Sequence, residues 1–272
     1  MTSLPISRVA AFFDLDGTLL APPSLELHFL SWLRRRRAIP RANYAAWLAQ
    51  AARLTPCCLA AMRHANKMYL RGISYQELTR LCKEGQTVLP APSFLPDALH
   101  RLTWHAHHRH SIFLITGTLE PLAGEIAQAI TALLAIRGIP ACVGMRATRL
   151  HESNGRWTGE VVGAPMFGRS KANAIHELAN EGFLDLSRSF AYANSFTDRH
   201  MLEAVGQPYA VNPSFRLRRL ARNRRWPILR WLAQKKSRLS AEAMTERCNS
   251  GLVFKPEAFR QHEQNLNLEK VI

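Results

Sequence analysis

Asp14 and Asp16 lie in the run Phe12-Phe13-Asp14-Leu15-Asp16-Gly17-Thr18-Leu19-Leu20, after an apolar stretch and before a glycine. Residues two apart on a strand point to the same face. Two carboxylates on one face repel each other unless a cation or a shared proton compensates. This is a pair suited to phosphoryl transfer. Asp14 is placed to attack phosphorus, giving an acyl-phosphate that splits a hard hydrolysis into two easier steps. Asp16 is placed to protonate the leaving oxygen and then to activate water. Taken alone, the same run also reads as a plain strand-to-loop turn, because Asp and Gly are common turn residues.

Phosphoryl transfer is mostly positioning and charge neutralisation, so it also needs donors, a fixed cation and a metal. Thr116, with the amides of Gly117 and Thr118, can supply donors at the mouth of a helix, where partial positive charge favours an anion. Alternatively, Thr118 simply caps that helix. Lys171 can supply the cation. It sits in the first turn of a predicted helix, where positive charge opposes the helix dipole; local rules of this kind are broken at functional positions. The bland alternative is a surface lysine. In Ala193-Asn194-Ser195-Phe196-Thr197-Asp198, Asn194 and Asp198 follow a predicted strand and precede a helix. Their oxygens suit Mg²⁺, which prefers oxygen ligands and keeps several waters. Asp198 can equally act as an N-cap.

The elements that must position these groups alternate along the chain. Residues 9–15 read as a buried strand, and residues 111–115 as a second one ending in Thr116-Gly117-Thr118. A helix over 120–136 stops at Gly138. Further strands are expected at 141–145, 189–193 and 209–212, with helices at 170–181 and 198–205. Residues 149–162 read as a hairpin turning at Asn154-Gly155. Strands alternating with helices imply an α/β fold, a Rossmann-like, doubly wound parallel sheet, with ligands at the carboxyl ends of the strands. Between Pro22 and Pro92 the pattern is helical. It carries a stop at Gly72 and a capping box from Ser74 to Glu77. This stretch reads as a helical cap inserted after the first strand. The expected organisation is a core of residues 1–21 and 93–235, a cap of 22–92 and a tail of 236–272.

With 272 residues and 47% apolar content, the chain can build one good core and a smaller insert. No apolar run approaches bilayer length, and residues 1–8 lack the pattern of a secretory leader. The five cysteines (Cys57, Cys58, Cys82, Cys142 and Cys248) show no Cys-x-x-Cys spacing and read as free thiols of a reducing compartment. The expected location is cytoplasmic. The formal charge of +16 attracts anions. Arg34 to Arg37 form one basic block, and ten Arg or Lys with no acid lie between Arg216 and Arg238. Leu217, Leu220, Trp226, Ile228, Leu229, Trp231 and Leu232 interleave with that second block. It reads either as a solvated face or as a peripheral contact, over 216–238, with an anionic membrane on its inner face. Nucleic acid is not the expected partner, since no nucleic-acid-binding motif is recognised. His105, His107, His108 and His110 read as structural rather than as a metal site.

In order, Asp14-Leu15-Asp16-Gly17-Thr18, Thr116-Gly117-Thr118, Lys171 and Asn194 to Asp198 resemble the four motifs of the haloacid dehalogenase superfamily of phosphatases. The insert after the first motif is similar to the cap of the phosphoserine-phosphatase-like branch. So are Asn154-Gly155-Arg156-Trp157-Thr158-Gly159-Glu160 and Met201-Leu202-Glu203-Ala204-Val205-Gly206. The resemblance spans roughly residues 8–232. It implies a Mg²⁺-dependent phosphomonoester phosphatase with Asp14 as nucleophile and Asp16 as acid and base. Thr116, Gly117, Thr118 and Lys171 would hold the phosphoryl group. Asp14, the backbone carbonyl of Asp16, Asn194 and Asp198 would hold the metal. The family commonly has Asp where this chain has Asn194, so the metal site carries less negative charge. The substrate would be a small phosphorylated metabolite or a lipid headgroup phosphate. The alternative is a weakened or inactive relative that binds phosphorylated or nucleic-acid ligands through its basic surface. Glu26 lies later than the glutamate with which phosphoserine-specific members hold an amino group, so phosphoserine is not implied.

Overall fold

The computed structural model describes residues 8–54, 66–76 and 94–232. Glu77, the prolines at 90 and 92, four of the five cysteines and the tail lie outside the described residues; Cys142 is an exposed free thiol.

Strand β1 (Ala10–Phe13) is buried on both faces. Its side chains alternate: Ala11 and Phe13 enter one core cluster, Ala10 and Phe12 the other, as a period of two demands. It pairs in parallel with β2 (Ser111–Leu119) on one side and β6 (Phe190–Ala193) on the other. Strand β3 (Val143–Thr148) extends the sheet beyond β2. Beyond β6 come β7 (Gln207–Val211) and β8 (Ile228–Leu229). The sheet order is β3-β2-β1-β6-β7-β8. The chain winds outward from β1 to β3 and then returns to the other side of β1. The carboxyl ends of β1 and β6 therefore flank the point where strand order reverses, the place where such sheets bind ligands.

Helices cover both faces. The first core cluster takes Leu99 and Leu102 of α3 (Pro96–His107) and Ile126 and Ile130 of α4 (Glu120–Ile136). The second takes Ile175 and Leu178 of α5 (Arg169–Gly182), Met201 and Leu202 of α6 (Arg199–Glu203), and Leu217 and Ala221 of α7 (Phe215–Arg224). This is the expected α/β doubly wound parallel core. Strand β2 runs on to Leu119 rather than ending at Ile115. Its pairing with β3 shifts register between Ile115 and Leu119, and irregularities of this kind re-aim side chains beside sites.

The insert contributes α1 (Leu25–Arg35), α2 (Arg41–Leu54) and a short 3₁₀ turn at Met68–Leu70. Gly72, at φ +80°, follows that turn rather than an α-helix, which revises the expected helix stop. Phe29, Trp32, Leu33, Tyr69 and Leu70 pack with Leu119 and Leu122 of the core and with Trp157. Trp157 belongs to the hairpin β4 (Leu150–Ser153) and β5 (Arg156–Val161). Its turn, Asn154-Gly155, has positive φ at both positions, as a type I′ turn requires. The hairpin is bonded to the insert: Gly72 N donates to Trp157 O (2.8 Å) and Trp157 N to Ile73 O (2.9 Å).

The basic C-terminal stretch spends most of its apolar residues on the core. Leu217 and Trp231 are buried, and Leu220, Trp226, Ile228 and Leu229 pack on the two clusters. Phe215 and Leu232 stay exposed. Among the described residues no helix is long and apolar enough to cross a membrane.

Of the four clustered histidines only His105 reaches the first core face; His107 and His108 are exposed. His105 is fully buried, its Nε2 2.9 Å from the Tyr192 hydroxyl and its Nδ1 2.8 Å from His110 Nδ1. Burial, and then the neighbouring His110, Arg101 and His108, push His105 down to about 2, so it is neutral. Tyr192 stacks on Phe13 and Tyr209. Replacing Tyr192 with Phe keeps that stack but strands a buried imidazole nitrogen. Tyr192→Phe is expected to cost about 1–3 kcal/mol of stability, read as a lowered urea midpoint.

Candidate active site

Asp14 follows β1 directly, and its amide donates to the Tyr192 carbonyl of β6 (2.9 Å). That bond carries the sheet one residue past the strand and fixes where the side chain leaves. The buried carboxylate takes two donors: Thr18 Oγ1 reaches Oδ2 (3.0 Å) and Lys171 Nζ reaches Oδ1 (2.6 Å). Lys171 lies in the first turn of α5. Its ammonium also meets Asp198 Oδ1 at 2.9 Å. It is buried, so the surface-lysine alternative does not hold.

One ammonium thus sits between two buried carboxylates, and the charges are perturbed accordingly. Burial opposes the Lys171 charge, but Asp14 and Asp198 more than offset it and its pKa rises. Asp198 moves up to about 6, chiefly through burial; Lys171 opposes the shift and Asp14 adds to it. The two upward shifts agree physically. The ammonium faces two carboxylates, whereas Asp198 faces one ammonium and a second carboxylate.

Asp16 is held from two sides. Leu25 N, at the start of α1, donates to Oδ1 (2.9 Å), and Thr118 Oγ1 donates to Oδ2 (2.7 Å). Burial raises its pKa against those hydrogen bonds, with Asp14 and Glu26 adding to the rise. Thr118 does not cap α4. The cap position is Leu119, which has no side-chain bond, and the Thr118 amide donates to Thr116 Oγ1 (3.1 Å). Asp198 stands at the N-cap of α6, but its side chain makes no capping bond there.

Gly17, at φ +79°, is required twice over. A Cβ there would be strained, and it would lie 2.1 Å from Asn194 Nδ2. The glycine lets Asn194 approach the turn after Asp16. Asn194 itself follows β6, and its carbonyl accepts from Ser214 N (2.9 Å).

The residues singled out in the sequence converge on one cavity of about 200 Å³. Asp14, Asp16, Thr116, Gly117, Thr118, Lys171, Asn194 and Asp198 all line it. The sequence reading gave no role to Ser24, Glu26, Met166, Phe167, Ser195 or Thr197, which also line it. Ser195 and Thr197 were legible as polar neighbours within the fourth motif. Met166 and Phe167 carried no signal, because only the fold brings the loop before α5 to this place.

The donor set suits a hard cation. Carboxylates of Asp14 and Asp198, the Asn194 carboxamide and backbone oxygen of the Asp16 turn are oxygen donors. Lys171 alone leaves excess negative charge among three acids. Among the described residues no three His, Cys, Asp or Glu side chains form a metal cage. A metal here would therefore rest on mixed carboxylate, carboxamide and carbonyl oxygens.

Residues 11–203 match the family model of the haloacid dehalogenase-like hydrolases. The chain belongs to that family. A probable phosphatase of Mycobacterium tuberculosis is 31% identical over 83% of this chain and 76% of its own length. A phosphoserine phosphatase of the same organism is 32% identical over 80% of this chain and 70% of its own. The solved structure of a protein of unknown function from Bordetella pertussis Tohama I superposes with a TM-score of 0.64 at 27% identity, covering 82% of this chain and 98% of that one.

The raised carboxyl pKa values set the sign of a pH effect. A carboxyl raised in the fold contributes stability that is full below its ordinary value and is lost as pH rises through the folded value. For Asp198 that window runs from 3.8 to about 6. Asp16 acts in the same direction. The metal-free protein should therefore lose stability between pH 4 and 7, and Asp198→Asn should flatten part of that slope. Urea midpoints across pH in a chelating buffer measure both.

Proposed function

We propose that the protein is a Mg²⁺-dependent phosphomonoester phosphatase working through an aspartyl-phosphate on Asp14. The observation that carries this reading is the buried Asp14–Lys171–Asp198 arrangement opening on the same cavity as Asp16. Membership of the hydrolase family and the likeness to a probable phosphatase of Mycobacterium tuberculosis support it. The core would be residues 1–21 and 93–235, with 22–92 as the cap over the strand ends.

In this reading Thr116, Gly117, Thr118 and Lys171 hold the phosphoryl oxygens. An Asp14 carboxylate oxygen attacks phosphorus and the ester P–O bond breaks. Asp16 passes its proton to the departing alkoxide, which leaves as the alcohol. Its raised pKa helps it keep that proton for the first step. Asp16, now a carboxylate, accepts a proton from water as the water attacks phosphorus. The Asp14–phosphorus bond breaks and inorganic phosphate leaves. Mg²⁺, bound by Asp14, the Asp16 carbonyl, Asn194 and Asp198, would supply neutralisation of the phosphoryl charge. Placing Lys171 among the buried carboxylates of Asp14 and Asp198 makes such charge stabilisation effective.

A small phosphorylated metabolite fits this reading better than a lipid headgroup. The apolar residues that would have entered a membrane from the basic stretch pack largely on the core. The phosphoserine phosphatase relative makes phosphoserine one member of the panel to be tried.

Release of phosphate from an aryl phosphate should require Mg²⁺ and should fall by about 10⁴-fold or more in Asp14→Asn, the scale seen when an essential nucleophile is removed. Unchanged release in that variant would sink the mechanism. Asn194→Asp adds one negative charge to the proposed metal ligands. It should tighten Mg²⁺ binding by about tenfold or more, followed by calorimetric titration of the free enzyme. Turnover that appears only in Asn194→Asp would instead make the natural chain a phosphate-binding protein without catalysis.

A further inference from the structure

Asp16 would give and take a proton in this reaction, yet each of its oxygens already accepts a hydrogen bond. Oδ1 is bonded by the Leu25 amide (2.9 Å) and Oδ2 by the Thr118 hydroxyl (2.7 Å). The two donors are not equivalent. A backbone N–H can only donate, so it needs an acceptor at Oδ1 whether Asp16 is charged or neutral. A hydroxyl rotates and can donate or accept, so it tolerates a proton on the oxygen it faces. In a neutral carboxyl the unprotonated oxygen is the better acceptor, and that oxygen is the one the amide holds. Oδ2 is left as the place for the proton.

Thr118 is fixed from the core side. It is buried within the last turn of backbone in β2, one residue before the strand ends at Leu119. The Thr148 hydroxyl donates to the Gly117 carbonyl (2.8 Å), and the Thr118 amide donates to Thr116 Oγ1 (3.1 Å). The peptide leading into Thr118 is thus held at its carbonyl and at its amide. Asp16 and Thr118 both line the cavity. We propose, resting on the phosphatase reading above, that Asp16 carries its proton on Oδ2 and that the Thr118 hydroxyl is the positioning group that holds this oxygen for proton transfer. As the ester P–O bond breaks, the Oδ2 proton passes to the departing oxygen, and the carboxylate left behind takes the Thr118 hydrogen bond. When water attacks the phosphoenzyme, Oδ2 regains a proton from that water.

The test compares phenyl phosphate with p-nitrophenyl phosphate, esters of similar shape whose leaving groups differ in their need for a proton. The nitrophenolate departs readily as an anion, whereas phenolate gains from an acid. The quantity read is the ratio of kcat/KM for the phenyl ester to that for the nitrophenyl ester, which reports the steps up to release of the phenol. Thr118→Val keeps the shape and loses the hydroxyl, so the ratio should fall by about tenfold or more, part of what a general acid contributes. Thr118→Ser restores the hydroxyl and should restore the ratio. Asp16→Asn should lower the ratio at least as far, and adding Thr118→Val to it should lower it no further, because both act through one proton. A role in packing alone would slow both esters equally and leave the ratio in place. Circular dichroism checks folding, and Thr118→Ala replaces Thr118→Val if the latter does not fold. An unmoved ratio in a folded variant lacking the hydroxyl, a Thr118→Ser ratio as low as that of Thr118→Val, or a further fall in the double variant would overturn the assignment. So would loss of folding in both hydroxyl-free variants while Thr118→Ser folds. Wild-type silence on both esters would overturn the phosphatase reading, and this assignment with it.

Discussion

The site depends on one buried ammonium. Lys171 lies within 3 Å of both Asp14 and Asp198, and those acids come from strands β1 and β6 by way of different loops. Without it, two buried carboxylates would face each other, and burying an unpaired charge is among the most costly things a fold can do. The rest of the architecture can be understood as the means of bringing that ammonium there. Helix α5 must start at residue 169, so that a first-turn lysine points at the end of β1, against the local preference of the helix dipole. The second core cluster packs α5 against β1 and β6, and so fixes the height at which the lysine enters.

Glycine and threonine then set the finer placement. Gly17 allows the chain to turn back and Asn194 to lie close against it. Thr18 and Thr118 each spend a hydroxyl on a carboxylate, Asp14 and Asp16 respectively. Asp16 is bound both to the core, through Thr118, and to the start of the insert, through the Leu25 amide. Its charge state is therefore tied to where helix α1 begins.

Much of this was legible in the sequence. The short apolar run before Asp14, the alternation of strands with helices and the Asn154-Gly155 hairpin turn are local signals, and each has its counterpart in the fold. The position of Asn194 after its strand follows from the same signals, whereas the first strand ends at Phe13 rather than at residue 15, so Asp14 and Asp16 lie beyond it. What was not legible depends on long-range geometry. Strand β2 continues past Ile115, with a shift in its pairing with β3, and Thr118 there serves Asp16 instead of capping a helix. Trp226, Ile228, Leu229 and Trp231 read equally well as a membrane face or a core face, because composition does not say which way a side chain turns once a strand has docked. Glu26 was noticed but given no role, since nothing local shows that Lys67 and Tyr69, some forty residues on, come back to it.

The central place of β1 has a consequence for how the chain reaches its native state. The strand that carries Asp14 is made before either of its neighbours, which begin at Ser111 and Phe190. Closing loops of that length must precede the pairing that rewards them, and topologies of this kind fold slowly. During synthesis an apolar segment, Ala10–Phe13, therefore waits unpaired until the chain reaches Ser111, and on its other side until Phe190. Its flanking acids, Asp14 and Asp16, place charge beside a strand that would otherwise be prone to pair with other chains. The carboxylates of the site are thus also the charges that stand beside the strand while it waits for its partners.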